Sequence, residues 1–283
     1  MANATRREEP AALRATRGFV GLASVLAMTL AICLVPIRGL ASGGGDSERS
    51  DKPAPLTKAE TLRGSQELPF KDVKLIIEHN ATAEDTGFQV FLDGEPWNRL
   101  KIEGPDGGSL LDVRARGNLR ALGLTEFFFE TNEPPNAEVP IEALLAGFPE
   151  GRYEFEGRSV DGVKMTGTAT LTHSIPKGPQ ILSPTEGEVV DPNDTVIRWD
   201  PVMESITGSP VEIVSYEVII TKPVSASPPG FSKPVLSVHV SASTTSLTVP
   251  REFFEPSTAY EFEVLALEVG GNQTISSSTF STK

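Results

Sequence analysis

The sequence predicts an all-β protein built as two β-sandwiches in tandem, and three observations carry that expectation. Gly and Pro number 25 and 23 in 283 residues and punctuate many short runs of Val, Ile, Thr and Phe, the composition of short strands joined by tight turns. Strand-like runs recur about every ten residues through the C-terminal third, the spacing of a sandwich. A Pro-x-x-x-Tyr-Glu-Phe pattern occurs twice, at Pro149 to Phe155 and at Pro256 to Phe262, 107 residues apart. A repeat at that distance marks two units of similar construction.

The first 41 residues are set apart. Arg6, Arg7, Arg14 and Arg17 precede an uncharged apolar run over residues 19–37, the pattern of an export signal. Gly39-Leu40-Ala41 places small residues where a signal peptidase cuts, so cleavage after Ala41 is expected. The alternative is an uncleaved inner-membrane anchor, because 19 residues fall at the low end of the roughly 17–25 that span a bilayer. Leu30-Ala31-Ile32-Cys33 departs from a lipoprotein signal at Ile32, and Glu8-Glu9-Pro10 interrupts a twin-arginine reading of Arg6-Arg7. Residues 42–69 are rich in Gly, Ser, Pro, Lys and Glu without hydrophobic period and read as a disordered tether.

Loss of residues 1–41 removes five Arg, two Glu and Cys33, the one cysteine, leaving 20 basic and 36 acidic residues. The mature chain then carries a net charge of -16, more acidic than the -13 of the full chain. Such an excess lacks the electrostatic footprint of a nucleic-acid binder. An exported domain without disulfides rests on its hydrophobic core, which points to a bacterial periplasm, cell surface or secreted setting.

In the second sandwich, residues 179–283, Val196-Ile197-Arg198-Trp199 and Tyr216-Glu217-Val218-Ile219-Ile220 are apolar strands. The run from Phe254 to Ala266 contains Pro256, then Tyr260, Phe262, Val264 and Ala266 at alternate positions. Alternation directs those four inward and Glu261, Glu263 and Leu265 outward. With Trp199 and Tyr216, this run resembles the fibronectin type III family. The resemblance implies a sandwich with Trp199 in its core and a corner closed by the Tyr260 hydroxyl. It implies no activity, and no Arg-Gly-Asp occurs. Residues 222–234, rich in Pro and Ser, expand the loop near the sheet edge.

The first sandwich, residues 70–176, is read from Lys74-Leu75-Ile76-Ile77, a strand over residues 87–92, further strands near 110–115 and 125–129, and turns at Asp93-Gly94 and Asp106-Gly107-Gly108. A helical turn is expected over residues 141–146, ended by Gly147. The repeat predicts a second tyrosine corner at Tyr153, and Asp161-Gly162 turns the last hairpin. This segment weakly resembles an Ig-like domain of exported bacterial proteins of unknown function. Residues 175–179 join the sandwiches, stiffened by two prolines and expected to leave little hinge freedom.

Chemistry-bearing patterns are sparse. His79, His173 and His239 stand alone, without metal-ligand spacing, and read as solvated strand-end residues. No nucleophile elbow or phosphate-binding loop is present, so no catalytic, cofactor or metal residue is assigned and the chain is read as a non-enzyme. Glu84 and Asp85, with Asp93 or Glu95 approaching from the next loop, form a weak calcium candidate. Glu154 and Glu156, like Glu261 and Glu263, alternate with core aromatics and are expected on solvated sheet faces. Thr166, Thr168, Thr170 and Thr172 share a strand face, and Arg114, Arg116 and Arg120 form a basic group suited to an anionic glycan or to local carboxylates.

These readings together predict an exported binding or spacer protein of the bacterial envelope, with a protein or glycan partner, no nucleic acid, and membrane contact only through the N-terminal segment. The alternatives are an accessory part of a carbohydrate-active or hydrolytic enzyme, and a purely structural envelope component.

Overall fold

The computed structural model describes residues 67–222 and 235–283. The signal or anchor, the tether as far as residue 66, and the loop 223–234 lie outside the described residues. The chain runs through β1 (Leu68–Pro69), β2 (Asp72–Asn80), β3 (Asp85–Glu103), β4 (Ser109–Arg114), α1 (Asn118–Leu122), β5 (Leu124–Glu130), α2 (Ile141–Ala146), β6 (Gly151–Ser159) and β7 (Lys164–Leu171). The second half adds β8 (Ile181–Ser183), β9 (Glu188–Val190), β10 (Val196–Trp199), β11 (Ile213–Thr221), β12 (Val235–Ser241), β13 (Ser246–Thr248), a 3-10 turn (Arg251–Phe253), β14 (Ala259–Glu268) and β15 (Gln273–Thr282). The architecture is all-β and sandwich-like.

In the first sandwich Leu75 and Ile77 of β2 stand opposite Val90 and Phe88 of β3, and all four are buried. Period-two alternation puts these residues on one face. β3 is long enough to serve two layers. Its first half pairs with β2 and β5, and its second half with β4 and β6. The register breaks between Asp93 and Trp97, where Gly94, Glu95 and Pro96 bend the strand. The turn expected at Asp93-Gly94 is therefore a bend inside one strand. Trp97, Leu100, Ile102, Tyr153, Phe155 and Met165 fill the space enclosed.

Two further departures concern short elements. Leu68–Pro69, assigned to the tether, pairs in parallel with Met165 and Thr166, because Leu68 packs against the core. Helix α1 carries no buried residue and so left no amphipathic period to find.

In the second sandwich β15, β14, β11 and β12 lie side by side, facing a three-stranded sheet β13-β10-β8. Between them pack Trp199, Tyr216, Tyr260, Phe262 and Phe280. The ring of Tyr260 stacks on Phe280 with centroids 5.5 Å apart.

The sandwiches are joined by more than residues 175–179. The start of β15 pairs in parallel with the end of β2, Gln273 beside Glu78, Thr274 beside His79 and Ile275 beside Asn80. One twelve-stranded sheet therefore crosses the boundary. Gly178 permits this closeness, since a Cβ there would lie 2.5 Å from the Ala81 methyl and 2.6 Å from the Ser276 hydroxyl. Gly271, at φ 100°, makes the turn that delivers β15 to the seam, a conformation that favours glycine.

Candidate functional site

The junction between the sandwiches is the most elaborated polar region of the fold. Asn272, 1% exposed, follows the Gly270-Gly271 turn and faces the first sandwich. Its Oδ1 accepts the Ile77 N–H at 2.9 Å. Its Nδ2 donates to the Thr172 carbonyl at 2.9 Å, the Thr172 Oγ1 at 3.1 Å and the Ser174 carbonyl at 3.1 Å. The side-chain amide thus reads an N–H on one side and oxygens on the other, which fixes its orientation. Thr274 Oγ1 donates to the Pro176 carbonyl at 2.6 Å, the Ser277 N–H to Thr82 Oγ1 at 2.9 Å, and the Gln273 amide to the Glu78 carboxylate.

Carboxylates gather along the same seam. Glu78, Glu217 and Glu263 are 1%, 7% and 7% exposed, on the sheet face that also carries the buried apolar cluster Ile219, Leu265 and Ile275. The expectation of a solvated face for Glu263 is corrected: its neighbours on β11 and β15 are apolar or uncharged, Ile219 and Ser277. Burial, then the charges of Glu78, Glu261 and Glu217, push its carboxyl up to about 7. Glu78, Glu130 and Glu133 each bring one carboxylate oxygen within 4.8 Å of the others. Burial first, then Glu78, Glu130 and Asp85, push Glu133 up to about 8. Three carboxylates supply part of the six to eight oxygens calcium takes, and no His or Cys joins the group among the described residues.

The calcium residues expected from sequence are dispersed. Glu84 and Asp85 lie at the β2–β3 turn, where Asp85 pairs with Asn80, whereas Asp93 pairs with Asp72 at the other end of the hairpin. Eight residues of strand, roughly 26 Å at the usual rise, separate Asp85 from Asp93. Asp85 instead borders Glu133, and burial raises its carboxyl.

Of the three histidines, His79 differs from expectation, whereas His239 is exposed. His79 is 8% exposed, with Nδ1 3.0 Å from both the Asp85 carbonyl and Thr86 Oγ1, and burial lowers its pKa. The alternation that hides Leu75 and Ile77 hides His79 as well. His173 Nε2 sits 2.8 Å from the Phe148 carbonyl, and His239 Nε2 is 3.4 Å from Glu217 Oε2.

The aromatic residues singled out by sequence are structural. Tyr153 Oη donates to the Pro149 carbonyl at 2.9 Å, Tyr260 Oη accepts the Glu255 N–H at 2.7 Å, and Tyr216 Oη accepts the Val202 N–H at 2.8 Å. Pro256 begins the corner that Tyr260 closes, and Trp199 is 1% exposed in the second core. An open depression of about 510 Å³ is lined by Glu103, Pro105, Arg152 and Glu154. Its carboxylates are engaged, Glu103 by Lys101 at 2.5 Å and Glu154 by Arg152 at 3.9 Å.

One arrangement was invisible in the linear sequence. On the outer face of the first sandwich Lys164 stands opposite Arg158, Arg158 opposite Arg99 and Arg99 opposite Arg114. Four cations from β7, β6, β3 and β4 thus form a single cross-strand row. Sequence reading grouped Arg114 with Arg116 and Arg120 because they are close in the chain. Arg99 and Arg158 could be added only once strand register was known.

No known protein family matches the chain, and no curated protein matches it. Solved structures similar to it include the chicken CNTN1 FN1–FN3 domains, at 11% identity and a TM-score of 0.30, over 77% of this chain and 68% of that one. Others are a tetra-tandem repeat in the extending region of a large adhesion protein, at 10% identity and TM-score 0.26, and the BSP domain of a biofilm associated protein, at 17% and 0.22. The shares are 75% of this chain and 50% of the former, and 76% of this chain and 29% of the latter. Among the described residues no helix is long and apolar enough to cross a membrane.

Proposed function

We propose that this chain is a non-enzymatic binding or spacer protein of the bacterial cell envelope, exported by its N-terminal segment, in which the two sandwiches act as one stiff presenting unit. The observation that carries this reading is the junction. Parallel pairing of β15 with β2, locked by the four hydrogen bonds of the Asn272 side chain, replaces a flexible linker by continuous sheet. A recognition module gains from such stiffness, since a fixed spacing between surfaces lowers the ordering cost of binding. Partners would meet loops or sheet edges, such as the outer side of β12, where an added strand could pair through its backbone. The accessory-enzyme alternative is not favoured, because the carboxylates that converge, Glu78, Glu130 and Glu133, belong to the junction rather than to the open depression.

The test is the relative motion of the sandwiches. In the intact protein, residual dipolar couplings should fit one alignment tensor for both halves. In Asn272→Ala they should require two, with a loss of about 2–3 kcal/mol from buried groups left without partners. Separate tensors in the unaltered protein would overturn the reading.

A further inference from the structure

We propose that the outer face of β7, β6, β3 and β4 is a docking surface for an extended uronate-bearing polysaccharide, whose carboxylates are taken by the row Lys164, Arg158, Arg99 and Arg114. The inference rests on the binding reading given above, names the partner class, and places it on a sheet face in addition to the loops and edges.

The four cations are direct cross-strand partners, so with strands about 4.8 Å apart the row spans roughly 14 Å in a nearly straight line. Like charges placed opposite one another weaken a sheet, so a row of four works against the fold that carries it. Local carboxylates neutralise it incompletely. Asp112 is shared, accepting from Arg99 at 2.9 Å and from Arg114 at 3.1 Å, and these two guanidiniums hold its carboxyl well below the usual range. Lys164 lies 3.1 Å from Glu156 and 3.4 Å from Glu67. Arg158 donates to a neutral group, the Gly162 carbonyl, at 2.8 Å, with Asp161 in the same turn. Beyond β4, Arg116 and Arg120 are exposed. Four of the ten basic residues of the first sandwich thus stand in one row on a body whose net charge is -8.

The surroundings select among polyanions. Arg forks match planar carboxylates in two-point contacts, and uronate units joined in a chain present such groups at a regular repeat. Beside the row run Thr166, Thr168 and Thr170, outward-facing on β7, whose hydroxyls both donate and accept and so suit sugar hydroxyls. The other outward residues of this face are charged or aliphatic, among them Arg152, Glu154, Lys101, Glu103 and Leu110. None is aromatic, so bases find no stacking platform.

The test measures binding of the intact protein to short alginate chains by calorimetry at low and physiological salt. Binding is expected at low salt, weakening as salt rises. Arg99→Gln combined with Arg158→Gln should reduce affinity at least tenfold without lowering the melting temperature, while Lys222→Gln, on the other sandwich, should leave affinity unchanged. Absence of alginate binding, binding equal in the double variant, equal binding of neutral dextran, or tighter binding of poly-glutamate or single-stranded DNA would each overturn the proposal. The dipolar couplings that test stiffness are independent of these outcomes, so the stiff unit can stand if the docking surface falls.

Discussion

The same tetrapeptide, Tyr-Glu-Phe-Glu, occurs at Tyr153 to Glu156 in the first sandwich and at Tyr260 to Glu263 in the second, and the fold gives the two copies opposite electrostatic settings. In both, Tyr and Phe point into a core, with Phe155 and Phe262 fully buried. In both, the glutamates point to the other face. There the copies part: the Glu156 side chain is 43% exposed beside Lys164 at 3.1 Å, whereas Glu263 is buried among other carboxylates. Strand parity determines which way a side chain points. What lies beyond that face determines whether it meets water, a cation or a second domain.

The inward positions should behave alike. Phe155→Ala and Phe262→Ala are each expected to destabilise by about 3–5 kcal/mol, the usual cost of emptying a buried aromatic site, measured by denaturant unfolding. If one proved mild, the two cores would not be equivalent. The outward positions should differ. The carboxyl of Glu263 is raised from 4.5 to about 7, so the folded state holds its proton more tightly than the unfolded chain does. Stability from this group is complete below pH 4.5 and falls as pH rises through 7. Glu263→Gln should flatten that slope and stabilise the protein by up to about 3 kcal/mol at pH 8. Glu156→Gln, which removes an exposed ion pair, should leave the melting temperature nearly unchanged. Equal pH profiles for the two variants would remove the distinction drawn between the two faces.

Smaller effects sharpen the comparison further. Tyr153→Phe and Tyr260→Phe each delete one corner hydrogen bond, at a cost of about 1 kcal/mol. The second also leaves the Glu255 N–H without its acceptor, so it should be the larger of the two. Calcium at millimolar concentration should leave the melting curve in place, because Glu84 and Asp85 are a whole strand away from Asp93. An upward shift reversed by chelator would restore a cation at the β2–β3 turn or at Glu78, Glu130 and Glu133.

Much of the fold was legible in the sequence because it depends on local rules. Alternation placed the strands around Lys74 to Ile77, Phe88 to Leu92 and Tyr260 to Ala266, Gly147 ended the helix begun at Ile141, and the repeated Pro-x-x-x-Tyr located both corners. The errors share a cause. Asp93-Gly94 has turn residues, but continued pairing of β3 on both sides carries the strand through them. His79 and Glu263 have polar side chains, but His79 shares the inward face of β2 with Leu75 and Ile77, and Glu263 is covered on a face that also carries Ile219, Leu265 and Ile275. The cation row is not legible in the chain because Arg99, Arg114, Arg158 and Lys164 are neighbours only across strands.

The chain's residues alone specified its all-β class, its two corners, its acidic excess and which side chains point inward, since period-two alternation and turn chemistry act over a few residues. Tertiary pairing decided the rest: the sheet shared across β2 and β15, the carboxylates withdrawn into that seam, and four cations aligned on one face. These depend on register between segments as far apart as 195 residues, as in the Ile77–Asn272 contact. No local pattern encodes such register, because pairing is chosen by the whole set of surfaces that must be buried together.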